Sequence, residues 1–196
     1  VLQKYWGHTD FRPKQEEIIH AVMAGKDTLA LLPTGGGKSV CFQVPALAMG
    51  KLCLVVSPLI ALMKDQVEHL QKAGVAARAI TSGMSYPEME NVLESAAVGK
   101  LSFLYVSPER LGSELFEARL PRLPLGLIAI DEAHCISQWG YDFRPAYLKI
   151  RLVRERVPNI PVLALTASAT SVVATDIMEK LAFRGPHMVR GSFLRP

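Results

Sequence analysis

Short apolar runs recur along the chain, each followed by small or polar residues and then by apolar positions at helical spacing. Runs at 28–32, 51–58, 75–81, 101–108, 125–130 and 162–165 predict strands, and 187–190 predicts a last short one. Between them, Ile18, Ile19, Val22 and Met23 mark one helix, with Pro13 in its first turn. Gly25-Lys26-Asp27 ends that helix. Further helices are predicted from Val40 onward, over 59–74, over 88–98 and over about 172–181. The strands are apolar on both faces and alternate with helices. That pattern predicts an α/β domain with a mostly parallel sheet flanked by helices on both faces. Ligands of such sheets bind beyond the carboxyl ends of the strands, and every polar motif found here sits at such an end.

The first of these motifs is Pro33-Thr34-Gly35-Gly36-Gly37-Lys38-Ser39, after the run that ends at Leu32. Strand, glycine loop, Gly-Lys-Ser and helix is the layout of a phosphate-binding P-loop. Backbone N–H groups can wrap a phosphate chain only where no side chain crowds the loop. The N–H groups at the helix start favour the anion, Lys38 offers charge to the outer phosphates, and Ser39 offers a hydroxyl to Mg²⁺. Leu32 stands where the general pattern has its first glycine, and the bland alternative is a tight glycine turn.

Asp131-Glu132 closes the run at 125–130. Beside a P-loop, Asp131 is the expected Mg²⁺ carboxylate and Glu132 the group that readies water. Alone, the pair reads as charges at a helix start. Thr166, Ser168 and Thr170 set hydroxyls at another strand end, to couple the phosphate state to other contacts or simply to cap a helix. Arg12 and Gln15 lie upstream of the P-loop, where Gln can bond adenine and Arg can stack or pair, or where both are solvated. Residues 137–145 mix Trp139, Tyr141 and Phe143 with Gly140, Arg144 and Pro145. They suit base stacking and phosphate contact, or a small core beneath a loop. Lys64 and Arg110 follow two strand ends in Ser-Pro, Ser57-Pro58 and Ser107-Pro108. They are placed to touch a nucleic-acid backbone or to remain solvated.

The 196 residues suffice for one domain with a substantial core, and 49% of them are apolar. Mean hydropathy is +0.21, yet no apolar run reaches the roughly 18 residues of a membrane span. The first residues do not read as a signal peptide, so an intracellular protein is expected: nucleus if eukaryotic, cytoplasm or nucleoid if bacterial. Net charge is +4, compatible with an anionic partner. Cys41, Cys53 and Cys135 lack C-x-x-C spacing and read as buried thiols rather than zinc ligands.

Taken together these residues resemble the first RecA-like domain of a RecQ-family DNA helicase. Gly7, Phe11, Arg12 and Gln15 match its adenine-recognition motif, and residues 33–39 match its P-loop. Residues 56–59 with Leu62 and 64–66, and residues 107–111, match two single-strand-contact motifs. Residues 131–140 with 142–145 match the Walker B motif running into the aromatic-rich loop. The resemblance implies a RecA-like P-loop NTPase fold, use of ATP and Mg²⁺, and 3′-to-5′ unwinding of DNA at single-strand/duplex junctions. It implies nucleotide contacts by His8, Arg12, Gln15 and Leu32 through Ser39, catalysis by Lys38, Asp131, Glu132 and His134, and coupling by Thr166, Ser168 and Thr170. It places Ser57, Pro58, Lys64, Ser107, Arg110, Trp139, Phe143 and Arg144 on DNA. His8 stands where the family often has an aromatic, Tyr141 replaces a usual His, and Ser168 replaces a usual Thr. The expected layout is one domain over 1–196: an adenine-recognition segment at 1–25, a P-loop core at 26–191, and at 192–196 the start of a linker to a second RecA-like domain that carries an arginine finger. A nucleotide-switched DNA-binding module and an RNA-directed DEAH-type helicase half are the alternatives.

Overall fold

Seven parallel strands carry the fold in this computed structural model, which describes residues 1–192. The strands are β1 (Thr28–Leu31), β2 (Leu52–Val56), β3 (Ala77–Ile80), β4 (Phe103–Val106), β5 (Leu125–Ile130), β6 (Val162–Thr166) and β7 (Met188–Arg190). Their order across the sheet is β3-β4-β2-β5-β6-β1-β7, every neighbouring pair parallel. The helices are α1 (Leu2–Trp6), α2 (Gln15–Met23), α3 (Lys38–Met49), α4 (Ile60–Lys72), α5 (Tyr86–Ala97), α6 (Glu114–Arg119), α7 (Ile150–Arg156) and α8 (Ser171–Lys180).

Alternation along the strands divides the core in two. Leu29, Leu31, Leu54, Val56, Ile128 and Ile130 face a layer with Val92 and Leu93 of α5, Phe116 of α6, Val153 of α7 and Ile177 of α8. Ala30, Cys53, Val55, Leu127 and Ala129 face the other layer, with Ile18 and Val22 of α2, Phe42 of α3 and Met63 of α4. A strand buried on both faces cannot show polar alternation, which is why its sequence reads as a continuous apolar run.

Most elements fall where the pattern puts them, with three differences. α3 begins at Lys38 rather than Val40, because Gly37 at φ 71° turns the loop straight into the helix. α5 begins at Tyr86, two residues ahead of the predicted Glu88. Ser85 caps it, its N–H donating to the Glu88 carboxylate at 2.7 Å. α1, α6 and α7 were not predicted; at five to seven residues they are too short to display a period.

The opposite end of the sheet is pinned by Asp27, which the sequence shows only as part of a turn. Its carboxylate accepts from Arg154 Nη2 at 2.6 Å, from Val162 N at 2.9 Å and from Arg184 N at 2.8 Å. Both partners of the Asp27–Arg154 ion pair are buried. The linker expected at 192–196 falls, after Ser192, outside the described residues. Among the described residues no helix is long and apolar enough to cross a membrane.

Candidate nucleotide and nucleic-acid site

Sheet order decides what meets at the carboxyl edge. β6 lies between β5 and β1, so Thr166 stands between Asp131-Glu132 and the P-loop. Leu31 pairs with Thr166 in register, and Leu32 N donates to the Thr166 carbonyl at 3.1 Å. β2 and β4, which are followed by Ser57 and Ser107, lie on the other side of β5. The edge is thus divided into a P-loop half and a Ser-Pro half, with Asp131 at the seam.

In the P-loop, residues 33–37 run partly exposed between Leu32 and α3, and Lys38 and Ser39 form the first turn of the helix. Gly37 has a φ of +71°, where any side chain is strained, and a Cβ there would displace the Gln15 amide. That close approach has a purpose. Gln15 is buried and its Nε2 donates to Gly37 O at 3.0 Å, while its Oε1 accepts from Arg12 N at 2.8 Å. The Arg12 guanidinium donates to Gly35 O. Both residues bond to the P-loop, Gln15 from a buried position and Arg12 from an exposed one, so the solvated alternative fails for Gln15. In this conformation the Gln15 amide is engaged by protein at both ends. His8 is exposed. Tyr5 and Trp6, which the sequence reading did not single out, line a cleft of about 480 Å³ with Ser39, Val40 and Gln43. They lie on five-residue α1, where no period announces a face.

Asp131 is 8% exposed, and its Oδ1 accepts from Glu132 N at 3.0 Å. Burial, then the neighbouring Glu132 charge, push its carboxyl up to about 6, while Lys38 pulls the other way. Glu132 adopts a left-handed φ of 49°, a conformation that costs a non-glycine residue about 1–2 kcal/mol. Tyr147, fully buried, donates its hydroxyl to the Asp131 carbonyl at 2.8 Å and steadies this turn. The buried Asp131 carboxylate and the Ser39 hydroxyl in the first turn of α3 are hard oxygen donors, the kind that suits a divalent cation carried by phosphates.

His134 is buried beneath the same turn. Its Nδ1 lies 2.7 Å from Thr166 Oγ1 and 3.4 Å from Glu132 Oε2. Thr166 Oγ1 donates to Ser168 O at 3.3 Å, so it accepts from Nδ1–H. Burial lowers the imidazole pKa, against the opposing pull of Glu132, and Lys38 also acts on it. Lys38, Asp131, Glu132 and His134 thus share one electrostatic neighbourhood. Of the three hydroxyls, Thr166 touches His134, exposed Ser168 offers its carbonyl, and Thr170 caps α8 by accepting from Val173 N at 3.3 Å. For Thr170 the capping alternative describes what the side chain does.

Tyr141 lies flat on the His134 ring, centroids 4.8 Å apart and planes 17° apart. Trp139 is 72% exposed. Together with His134, Ser168, Ala169 and Thr170 they line an apolar cavity of about 420 Å³. Phe143 and Arg144 are half-buried behind it, and Arg144 Nη2 donates to Asp142 at 3.3 Å. The aromatic stretch is therefore a surface beside His134, rather than a closed satellite core.

The Ser-Pro half departs from expectation. Ser57 and Ser107 are buried at 1% and 2%, their hydroxyls without partners, so neither Oγ reaches a strand outside. Arg110 is not solvated either: its guanidinium donates to the carbonyls of Thr81, Ser82 and Met84 at 2.6–3.0 Å. It staples the loop after β3. Pro58 is partly exposed and Lys64 stands exposed on α4.

Comparison with known proteins gives the family and the fold. Residues 12–176 match the DEAD/DEAH box helicase family. The chain is 44% identical over 196 residues to the ATP-dependent DNA helicase RecQ of Pasteurella multocida, covering all of this chain and 31% of that protein. It is 45% identical over 191 residues to a probable ATP-dependent DNA helicase RecS of Bacillus subtilis, covering 97% of this chain and 38% of that one. The chain therefore spans about a third of the length of these relatives. The helicase domain of Pyrococcus furiosus Hef superposes with a TM-score of 0.70 at 22% identity, over 91% of this chain and 37% of that one, and so shares the RecA-like fold. By its sequence and its sheet the chain belongs to the DEAD/DEAH box helicases, on their RecQ branch.

Proposed function

We propose that this chain is the ATP-binding motor half of a RecQ-like 3′-to-5′ DNA helicase, coupling ATP hydrolysis to movement along single-stranded DNA and to unwinding in the longer protein. One observation carries the reading. The charges of Lys38 and Glu132 act on both Asp131 and His134, and His134 is in ring contact with the aromatic loop that bears Trp139.

The P-loop amides and Lys38 hold the outer phosphates of ATP. Ser39 and Asp131 would hold Mg²⁺, which would neutralise phosphate charge. Glu132 orients and deprotonates the attacking water. His134, kept neutral by burial, hydrogen-bonds to Thr166 and links Glu132 to the loop. Trp139 and Phe143 offer stacking faces to bases, and Arg144, once free of Asp142, offers charge to a phosphate. Exposed Lys64 and the backbone after Ser57 and Ser107, rather than their hydroxyls, extend the strand path. Arg12 and Gln15 read adenine after turning from the P-loop carbonyls.

A second RecA-like domain supplies the arginine finger, worth about 10³–10⁵ in turnover. The chain alone therefore binds nucleotide weakly and hydrolyses it slowly. In the longer protein, Glu132→Gln should abolish DNA-stimulated ATPase while leaving nucleotide binding intact. Unchanged turnover would leave a nucleotide-switched binding module as the better reading, and stronger stimulation by RNA than by single-stranded DNA would favour an RNA-directed helicase.

A further inference from the structure

We propose that the chain holds a second metal site, for a thiophilic dication such as Zn²⁺, formed by His134 Nε2, Cys135 Sγ and a carboxylate oxygen of Asp142. The proposal needs neither ATP nor DNA and stands apart from the function proposed above. The three donor atoms lie within 4.8 Å of one another. Sγ is 3.7 Å from His134 Nε2 and 3.7 Å from Asp142 Oδ2. In a tetrahedral zinc site, with Zn–S about 2.3 Å and Zn–N or Zn–O about 2.0–2.1 Å, the edges from sulfur are about 3.6 Å long. Two of the three edges already have that length. The third closes by rotation of Asp142, which is half-exposed while the other two side chains are buried.

The surroundings orient the histidine and the carboxylate, while burial pushes the Cys135 thiol up to about 12, a cost that the S–metal bond must offset. Thr166 fixes the proton of His134 on Nδ1, which leaves the Nε2 lone pair facing Sγ. A hydrogen bond of this kind is what orients a metal-binding histidine. A backbone hydrogen bond from Arg144 N to Cys135 O at 2.8 Å folds the loop back and brings Asp142 over Cys135. That fold explains why no C-x-x-C pattern announces the site: the donors are adjacent residues on a 3₁₀ turn and one residue seven positions later. On binding, the Cys135 thiol gives its proton to solvent and an S–metal bond forms. Thiolate and carboxylate then balance the dication. Arg144, which donates to Asp142 Oδ2 from Nε at 3.4 Å and from Nη2 at 3.3 Å, must yield that oxygen. The hard ion Mg²⁺ prefers an all-oxygen set and does not compete here.

Cadmium absorption tests this on the 196-residue chain, because a Cd²⁺–thiolate bond gives an ultraviolet charge-transfer band. Titration should give a saturable band at one equivalent, reversed by Zn²⁺ and unaffected by Mg²⁺. Cys41→Ser and Cys53→Ser should keep it, Cys135→Ser should lose it, and Asp142→Asn should weaken binding at least about tenfold. Should Cys135→Ser not fold, the half-exposed Asp142→Asn reports on the same site. No saturable band, a band that survives Cys135→Ser, or unchanged affinity in Asp142→Asn would overturn the proposal.

Discussion

Replacing Asp131 by asparagine should make the nucleotide-free chain more stable. Asp131 is 8% exposed, lies next to Glu132, and has its carboxyl raised from the ordinary 3.8 to about 6. A group whose pKa is raised by folding stabilises the fold while protonated. That stability is fully present below about 3.8 and is lost as pH rises through about 6. At about 1.4 kcal/mol per tenfold in the ionisation constant, the ionised carboxylate costs about 3 kcal/mol at pH 8. Asparagine removes the charge and keeps an acceptor for Glu132 N. Urea unfolding with Mg²⁺ chelated should then show Asp131→Asn more stable than the parent by about 3 kcal/mol at pH 8, and by roughly half as much at pH 5. A gain below about 1 kcal/mol at pH 8, or one that does not shrink with acid, would refute the electrostatic reasoning. Confirmation would mean that the fold tolerates a destabilised carboxylate at the point where a cation and phosphates are to bind.

Three other perturbations probe the frame and the surface. Asp27→Ala strands a buried Arg154 and two backbone N–H groups, and should cost about 3–5 kcal/mol in urea unfolding, whereas a loss under about 1 would remove Asp27 from its structural role. Tyr147→Phe leaves the Asp131 carbonyl without its buried donor and should cost about 1–2 kcal/mol in the same assay, with the side chain's packing retained. Trp139→Ala, at an exposed position, should leave stability within about 0.5 kcal/mol while weakening single-stranded DNA binding by about 1–3 kcal/mol in fluorescence anisotropy. Equal DNA affinity of the two proteins would take Trp139 off the strand path.

The strands and the nucleotide motifs were legible because their signals are local. β5 was read with its observed bounds, since a buried parallel strand is an unbroken apolar run. The P-loop needs its glycines within a few residues, and those residues announce themselves. What the sequence withheld depends on contacts between distant positions. Asp27 is tied to Arg154, 127 residues away, and sequence spacing carries no trace of that pairing. Arg110 reads as a free cation until the loop after β3 folds onto it. Ser57 and Ser107 read as strand-end hydroxyls, and only the folded chain shows that they are buried. Gln15 was placed near the nucleotide by its motif, but its bonds to the P-loop carbonyls follow from how α2 packs on α3. Tyr141 on His134 is a ring contact across seven residues of irregular loop, where no periodicity exists to read.

The central claim is that Lys38 and Glu132 act on one triphosphate beside a loop that meets DNA. A crystal structure of the chain with Mg²⁺ and a non-hydrolysable ATP analogue tests it most directly. The account predicts the β- and γ-phosphates on the amides of residues 35–39 with Lys38 against them, Mg²⁺ between Ser39 and Asp131, and the Glu132 carboxylate turned toward the γ-phosphate. Phosphates seated away from the glycine loop, or a Glu132 side chain pointing into a different cleft, would contradict it.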